Sequence, residues 1–142
     1  MKKLLLSISV GISLTGCMVA PSQPLPPKPI PITLEEAKLK DFGSYPSNYE
    51  KMVKAHFSET LKDPDSVKYK EITKPKKVAN TITRKEYYLV CATLNAKNSY
   101  GGYVGNKTYD FHFKNGKIEY VNESIFPERC YSKEEIVIIN PR

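Results

Sequence analysis

Residues Glu86 to Asn95 read EYYLVCATLN. A strand with one wet face alternates apolar and polar side chains, because successive residues point to opposite sides of the sheet. This run is apolar on both faces, so it belongs in the middle of a sheet rather than at its edge. The rest of the chain must supply its neighbours.

Thr108 to Lys114 and Lys117 to Asn122 are alternating segments on either side of Asn115-Gly116. That dipeptide favours a two-residue type I′ turn, since both positions tolerate positive φ. Such a turn predicts Phe113 opposite Ile118, Phe111 opposite Tyr120 and His112 opposite Glu119, with the first two pairs on the core face. Val67 to Ile72 has strand character, and Glu134 to Asn140 (EEIVIIN) reads as an edge strand.

Two helix starts precede these strands. Thr33-Leu34-Glu35-Glu36 has the form of a capping box opening a short helix to Lys40, ended by Phe42-Gly43. Ser47-Asn48-Tyr49-Glu50 has the same form and precedes Tyr49, Met52, Val53, His56, Phe57 and Leu61 at helical spacing. Asp63-Pro64 stops this main helix. The expected fold is α+β: one main helix packed on an antiparallel sheet of four to five strands, in a single small domain spanning 33–142.

The first residues, MKKLLLSISVGISLTGC, contain a positive start at Lys2-Lys3 and an apolar stretch from Leu4 to Leu14. A region of eleven residues is too short to span a bilayer as a helix, which takes about 20, and the pattern is that of an export signal. Leu14-Thr15-Gly16-Cys17 resembles the lipobox of bacterial lipoproteins. The resemblance implies cleavage of a signal peptide, residues 1–16, and acylation of Cys17 by diacylglycerol and a further chain such as palmitate. Small residues before the cysteine admit a protease to the backbone, and the thiol is the nucleophile that takes the lipid. Each buried CH₂ adds about 0.8 kcal/mol of membrane affinity, so several chains anchor firmly. Met18 stands where an Asp often marks inner-membrane retention, which implies the outer membrane, periplasmic face, in a Gram-negative host. An ordinary signal peptide followed by an incidental cysteine is the alternative.

Six prolines lie within residues 21–31. They exclude a helix or central strand and favour polyproline II at about 3.1 Å per residue. Residues 17–32 therefore read as the lipidated cysteine and a tether, able to hold the domain roughly 45 Å from the lipid. A proline-rich ligand for a partner is the other reading of this stretch.

Candidates for chemistry are sparse. Asn95 to Phe111, NAKNSYGGYVGNKTYDF, has the look of a built loop. Its approach to a P-loop fails at Asn106, and Thr108 begins a strand instead of the helix a phosphate cradle requires. The glycines instead permit positive φ in a tight strand connection, and this reading includes Gly102. Tyr100 and Tyr103 flank Gly101-Gly102 and could offer contact area at low entropic cost. The loop is thus either a binding surface or only a turn. His56 reads as a helix packing residue and His112 as a polar pair with Glu119. Neither has cysteines or carboxylates at metal-ligand spacing, so no metal and no cofactor is expected. Asp63 and Asp65 read as turn and cap residues around Pro64. No nucleophile motif stands out, and no catalytic residue is assigned. The net charge of +7 is diluted along the chain. Lys74, Lys76 and Lys77 form the only basic cluster, placed on a loop between strands. Nucleic acid is not an expected partner.

Leu61 to Lys70 (LKDPDSVKYK) and Val90 to Gly105 (VCATLNAKNSYGGYVG) together resemble a group of small uncharacterised bacterial secreted and lipoprotein domains. In these a helix ends in Lys-Asp-Pro-x-Ser, and a strand ending Asn-Ala-Lys-Asn leads to Gly-Gly-Tyr-x-Gly. Ala92 stands where Gly is usual, and Leu94 also departs from the pattern. The resemblance supports the fold and implies no activity.

If lipid consumes Cys17, Cys91 and Cys130 remain as an even pair in an oxidising compartment. A bridge between them is expected, with Cys130 folding back across the sheet. The alternative is two separate thiols, Cys91 being a small buried hydrophobe. The functional expectation is a lipid-anchored envelope protein that is not an enzyme. It acts as an interaction or accessory module for another envelope protein, through Tyr100, Gly101, Gly102 and Tyr103, or as a domain binding cell-wall glycan or another ligand.

Overall fold

The computed structural model describes residues 25–141. The signal segment 1–16, Cys17 and the start of the tether lie outside the described residues. Among the described residues no helix is long and apolar enough to cross a membrane. Two α-helices, α1 (Leu34–Lys38) and α2 (Tyr49–Thr60), precede six strands: β1 (Lys68–Ile72), β2 (Lys76–Asn80), β3 (Lys85–Asn95), β4 (Lys107–Lys114), β5 (Lys117–Glu123) and β6 (Ile136–Ile139). Single 3₁₀ turns occupy Pro64–Ser66 and Pro127–Tyr131.

The six strands form one sheet in the order β5-β4-β3-β2-β6, with β1 pairing β3 beyond the end of β2. The architecture is α+β, but the sheet is larger than the expected four to five strands, and mixed. The β6 strand is an edge strand as expected, yet it runs parallel to β2, Lys77 opposite Ile136 and Asn80 opposite Ile139. The β2 strand itself was not expected: Lys76 and Lys77 lie in it, not on a loop. They are tolerated because Lys76 Nζ donates to the carbonyls of Ser132 and Glu134, and Lys77 lies over the Phe42 ring.

The β3 strand is central, as its two apolar faces require. Tyr88, Val90, Ala92 and Leu94 face α2, where they join Val53, Phe57, Phe111 and Phe113 in the main core. Tyr87, Leu89 and Cys91 face the other way, into a smaller cluster with Val78, Cys130, Val137 and Ile139. The helical spacing of α2 thus places Val53 and Phe57 at the sheet, and His56 packs edge-on against Phe111 with ring centroids 5.3 Å apart.

The Thr33 capping box is present, its hydroxyl accepting from Glu36 N at 3.3 Å. The second capping box is not: Asn48 makes no side-chain cap bond. Its φ of −98° and ψ of 22° leave the extended region from which a cap side chain reaches back over the first turn.

The Asn115-Gly116 turn has positive φ at both residues, and Phe113 faces Ile118. Beyond that pair the register departs from expectation. A bulge at Glu119 places His112 opposite Tyr120 and Phe111 opposite Val121. The turn fixes only the pairs beside it, and one extra residue transfers Tyr120 to the second face.

The tether is not wholly free. Ile32 N donates to Asn140 Oδ1 at 3.1 Å, and Asn140 Nδ2 donates to Ile32 O at 3.2 Å. The Arg84 guanidinium reaches the Pro27 carbonyl at 3.0 Å. The last part of the proline-rich stretch is therefore tied to the domain.

Candidate functional site

The glycine loop joins β3 to β4 and is braced from within. Asn98 Oδ1 accepts from the backbone N–H groups of Tyr100 (2.9 Å) and Gly102 (3.1 Å), while Asn98 N donates to Gly102 O at 2.8 Å. Gly105 N donates to Asn95 Oδ1 at 3.1 Å. The loop also rests on the turn after α2. Tyr103 Oη donates to Ser66 O at 3.0 Å, Lys62 Nζ donates to Ser99 Oγ at 3.0 Å, and Lys68 lies 4.3 Å from the centre of the Tyr103 ring. The two motif stretches, Asp63-Pro64-Asp65-Ser66 and Asn95 to Gly105, are thus adjacent in space, a relationship their spacing in the chain does not reveal.

Gly101 and Gly105 have φ of 81° and 94°, in the left-handed region where a side chain is strained. Gly102 does not share that geometry, and a Cβ there would meet only the Asn98 amide at 3.8 Å. The expected need for positive φ at Gly102 is corrected accordingly: its N–H and C=O are what the loop uses. Tyr100 is 97% exposed, with Tyr103 and Val104 partly exposed beside it. The loop has neither the following helix nor the converging N–H groups of a phosphate cradle, since β4 begins at Lys107.

A second site lies on the sheet face away from α2 and joins residues the sequence reading treated as separate or left aside. The expected bridge is present: Cys91 and Cys130 form a disulfide with Cα atoms 5.8 Å apart. It pins the Pro127–Tyr131 turn onto the middle of β3. Beside it Asp110 on β4 is 9% exposed. Its Oδ1 lies 3.6 Å from Cys91 Sγ and 3.9 Å from Cys130 Sγ, but sulfurs joined to each other carry no hydrogen to donate. Burial pushes the Asp110 carboxyl above its usual range, against the opposing pull of Ser124 and Arg129. The Ser124 hydroxyl lies near enough to favour the carboxylate but outside hydrogen-bond geometry, so its buried oxygen has no partner among the described residues. Cys91, Asp110 and Cys130 together have metal-ligand spacing. With the sulfurs paired, only the carboxylate is free to ligate.

Next along β4, His112 lies flat on Tyr87, with Tyr120 edge-on at 5.4 Å. Burial, followed by the charges of Lys85 and Arg129, lowers the His112 pKa to about 4. The imidazole is therefore neutral at pH 7, with one donor and one acceptor nitrogen. A recess of about 160 Å³ opens between Asp110, His112, Arg129, Asn80, Asn122 and Phe126. A second of about 290 Å³ continues past Tyr87 and His112 to Glu119 and Tyr120. A cavity of about 490 Å³, larger than either recess, lies elsewhere, between the tether at Pro27 to Ile32 and the β2–β3 connection.

The expected His112–Glu119 pair does not form, because the bulge turns Tyr120 to His112 instead. A sequence signal for this site does exist. TYDFHF alternates, and Asp110 and His112 share the face opposite Phe111 and Phe113. What could not be read is that the same face of β3 brings Tyr87 and Cys91 alongside them. No family model, no curated protein and no solved structure matches the chain.

Proposed function

We propose that the chain is a lipid-anchored cell-envelope protein, held through acylated Cys17, whose domain is an accessory module that docks an envelope protein partner. The anchor rests on Leu14-Thr15-Gly16-Cys17 and would place the domain at the periplasmic face of the outer membrane in a Gram-negative host. The observation that carries the docking reading is Tyr100, 97% exposed at the tip of a loop whose backbone is held by Asn98 and Asn95 and whose Tyr103 hydroxyl is held by the Ser66 carbonyl. A large aromatic ring displayed on a rigid mount loses little entropy on binding, which is what an interface anchor needs. Lys62, Lys68 and Lys97 surround the loop and favour an acidic partner surface. No reaction is proposed.

A second reading, a ligand-binding domain, is favoured by the recess at Asp110 and His112. The test of the docking reading is photocrosslinking in intact cells from an aromatic photoreactive residue at position 100. A single discrete protein adduct, lost when the probe is moved to Lys51 on the exposed side of α2, supports it. Absence of any adduct from position 100 overturns it.

A further inference from the structure

The recess on the second face presents opposite charges that do not meet. Asp110 is nine-tenths buried and lines it; the disulfide sulfurs beside its Oδ1 have nothing to donate, and the nearby Ser124 hydroxyl stands outside hydrogen-bond geometry. Arg129 lines the same recess, and its guanidinium stacks on Phe126 at 4.3 Å. The ion pairs among the described residues are Lys38–Glu35, Lys40–Glu86 and Lys107–Glu123, so Asp110 and Arg129 do not contact each other directly. A buried carboxylate without a donor is costly unless something supplies one.

We infer that this recess is a binding site for a small zwitterion of the α-amino acid class, its ammonium on Asp110 and its carboxylate on Arg129. A simple anion would satisfy Arg129 and be repelled by Asp110. A simple cation would satisfy Asp110 and be repelled by Arg129 and by Lys85 beyond His112. A molecule carrying both charges answers both groups with charge-assisted hydrogen bonds. The stacked Tyr87–His112 pair and Phe126 form apolar walls for a short side chain, and Asn80 and Asn122 add neutral polar partners. The recess, about 160 Å³, has room for a free amino acid with a small side chain. The site is independent of the docking loop, which lies at the β3–β4 connection, so failure of one leaves the other standing.

The test is an amide NMR titration of the full chain, disulfide intact, with glycine, L-alanine and D-alanine. Acetate, methylammonium and N-acetylglucosamine serve as comparison probes. The expected result is a saturable shift of the Asp110, His112, Arg129 and Asn80 signals with at least one amino acid. Acetate and methylammonium should bind at least about tenfold more weakly, as expected when one charged contact is lost. Asp110→Asn, which keeps the shape and removes the charge, should weaken binding by about tenfold or more while leaving the amide spectrum dispersed. Arg129→Gln should do the same, and Asp110→Asn alone decides if the Arg129 variant fails to fold. The inference is overturned if no amino acid gives a saturable shift up to tens of millimolar. It is also overturned if N-acetylglucosamine shifts the same signals more strongly, or if Asp110→Asn binds as the unsubstituted chain does.

Discussion

The imidazole of His112 and the ring of Tyr87 stack face to face, 4.1 Å between centroids and 8° from parallel. An imidazole held this way resists protonation, because the charged form would lose water it cannot replace. His112 has a folded-state pKa of about 4 against an ordinary value of 6.5. A depressed pKa contributes stability that is present above 6.5 and lost as pH falls toward 4. Because the ring is only half-buried, the loss should be roughly 1–2 kcal/mol after solvent screening. His112→Phe keeps a flat ring and removes the proton site. Urea unfolding at stepped pH should show the unsubstituted chain losing more stability than His112→Phe between pH 6.5 and 4. Parallel curves would show that the stack does not govern the proton.

Asp110 has the opposite sign. Its pKa is raised by burial, so its contribution to stability is present below the ordinary carboxylate pKa and is lost as pH rises through the folded value. Asp110→Asn should therefore be at least as stable as the unsubstituted chain at pH 7, with the advantage shrinking on acidification. Thermal unfolding of both proteins across this range measures it, and a less stable Asn variant at pH 7 contradicts the assignment.

The disulfide spans 39 residues of sequence. Loop-closure entropy puts the loss on opening it at about 4 kcal/mol. Cys91→Ala with Cys130→Ala should lower the unfolding free energy by an amount of that order in denaturant titration.

In the glycine loop, Gly101→Ala and Gly105→Ala should each cost about 1 kcal/mol or more because of their positive φ. Gly102→Ala should stay within about 0.5 kcal/mol. Equal losses at the three positions would contradict the geometry. Tyr100→Ala should leave stability within the same margin, since its ring is almost fully exposed.

Cys17→Ser should abolish incorporation of labelled fatty acid and leave the signal segment attached. A Ser variant that still takes up label would remove the basis for the anchor.

What could be read from the sequence depended on the range of the interaction. The two-faced apolar run of β3, the spacing of α2 and the Asn115-Gly116 turn are local signals, and each produced the expected element. The pairing of Cys91 with Cys130 was also accessible, because only two partners were left to consider. Strand β2 was hidden by Lys76 and Lys77, whose stabilising partners, the Ser132 and Glu134 carbonyls and the Phe42 ring, come from distant parts of the chain. The bulge at Glu119 leaves no local mark, yet it decides that Tyr120 rather than Glu119 faces His112. The docking of Ile32 on Asn140 spans 108 residues, and no tether composition could announce it.

The parallel pairing of β2 with β6 has a consequence for how the molecule is made. Its partners are far apart along the chain, as in Asn80 opposite Ile139. Synthesis proceeds from the N-terminus, so β1 through β5 and α2 can assemble early, like a half-built meander. Val78, Tyr87, Leu89 and Cys91 then stay uncovered until residues 130–139 arrive. Long-range closures of this kind are slow, and bare apolar faces associate while they wait. The nascent chain should therefore depend on holding factors late in its biogenesis, with arrival of Val137 and Ile139 on β6 as the step that ends the exposure.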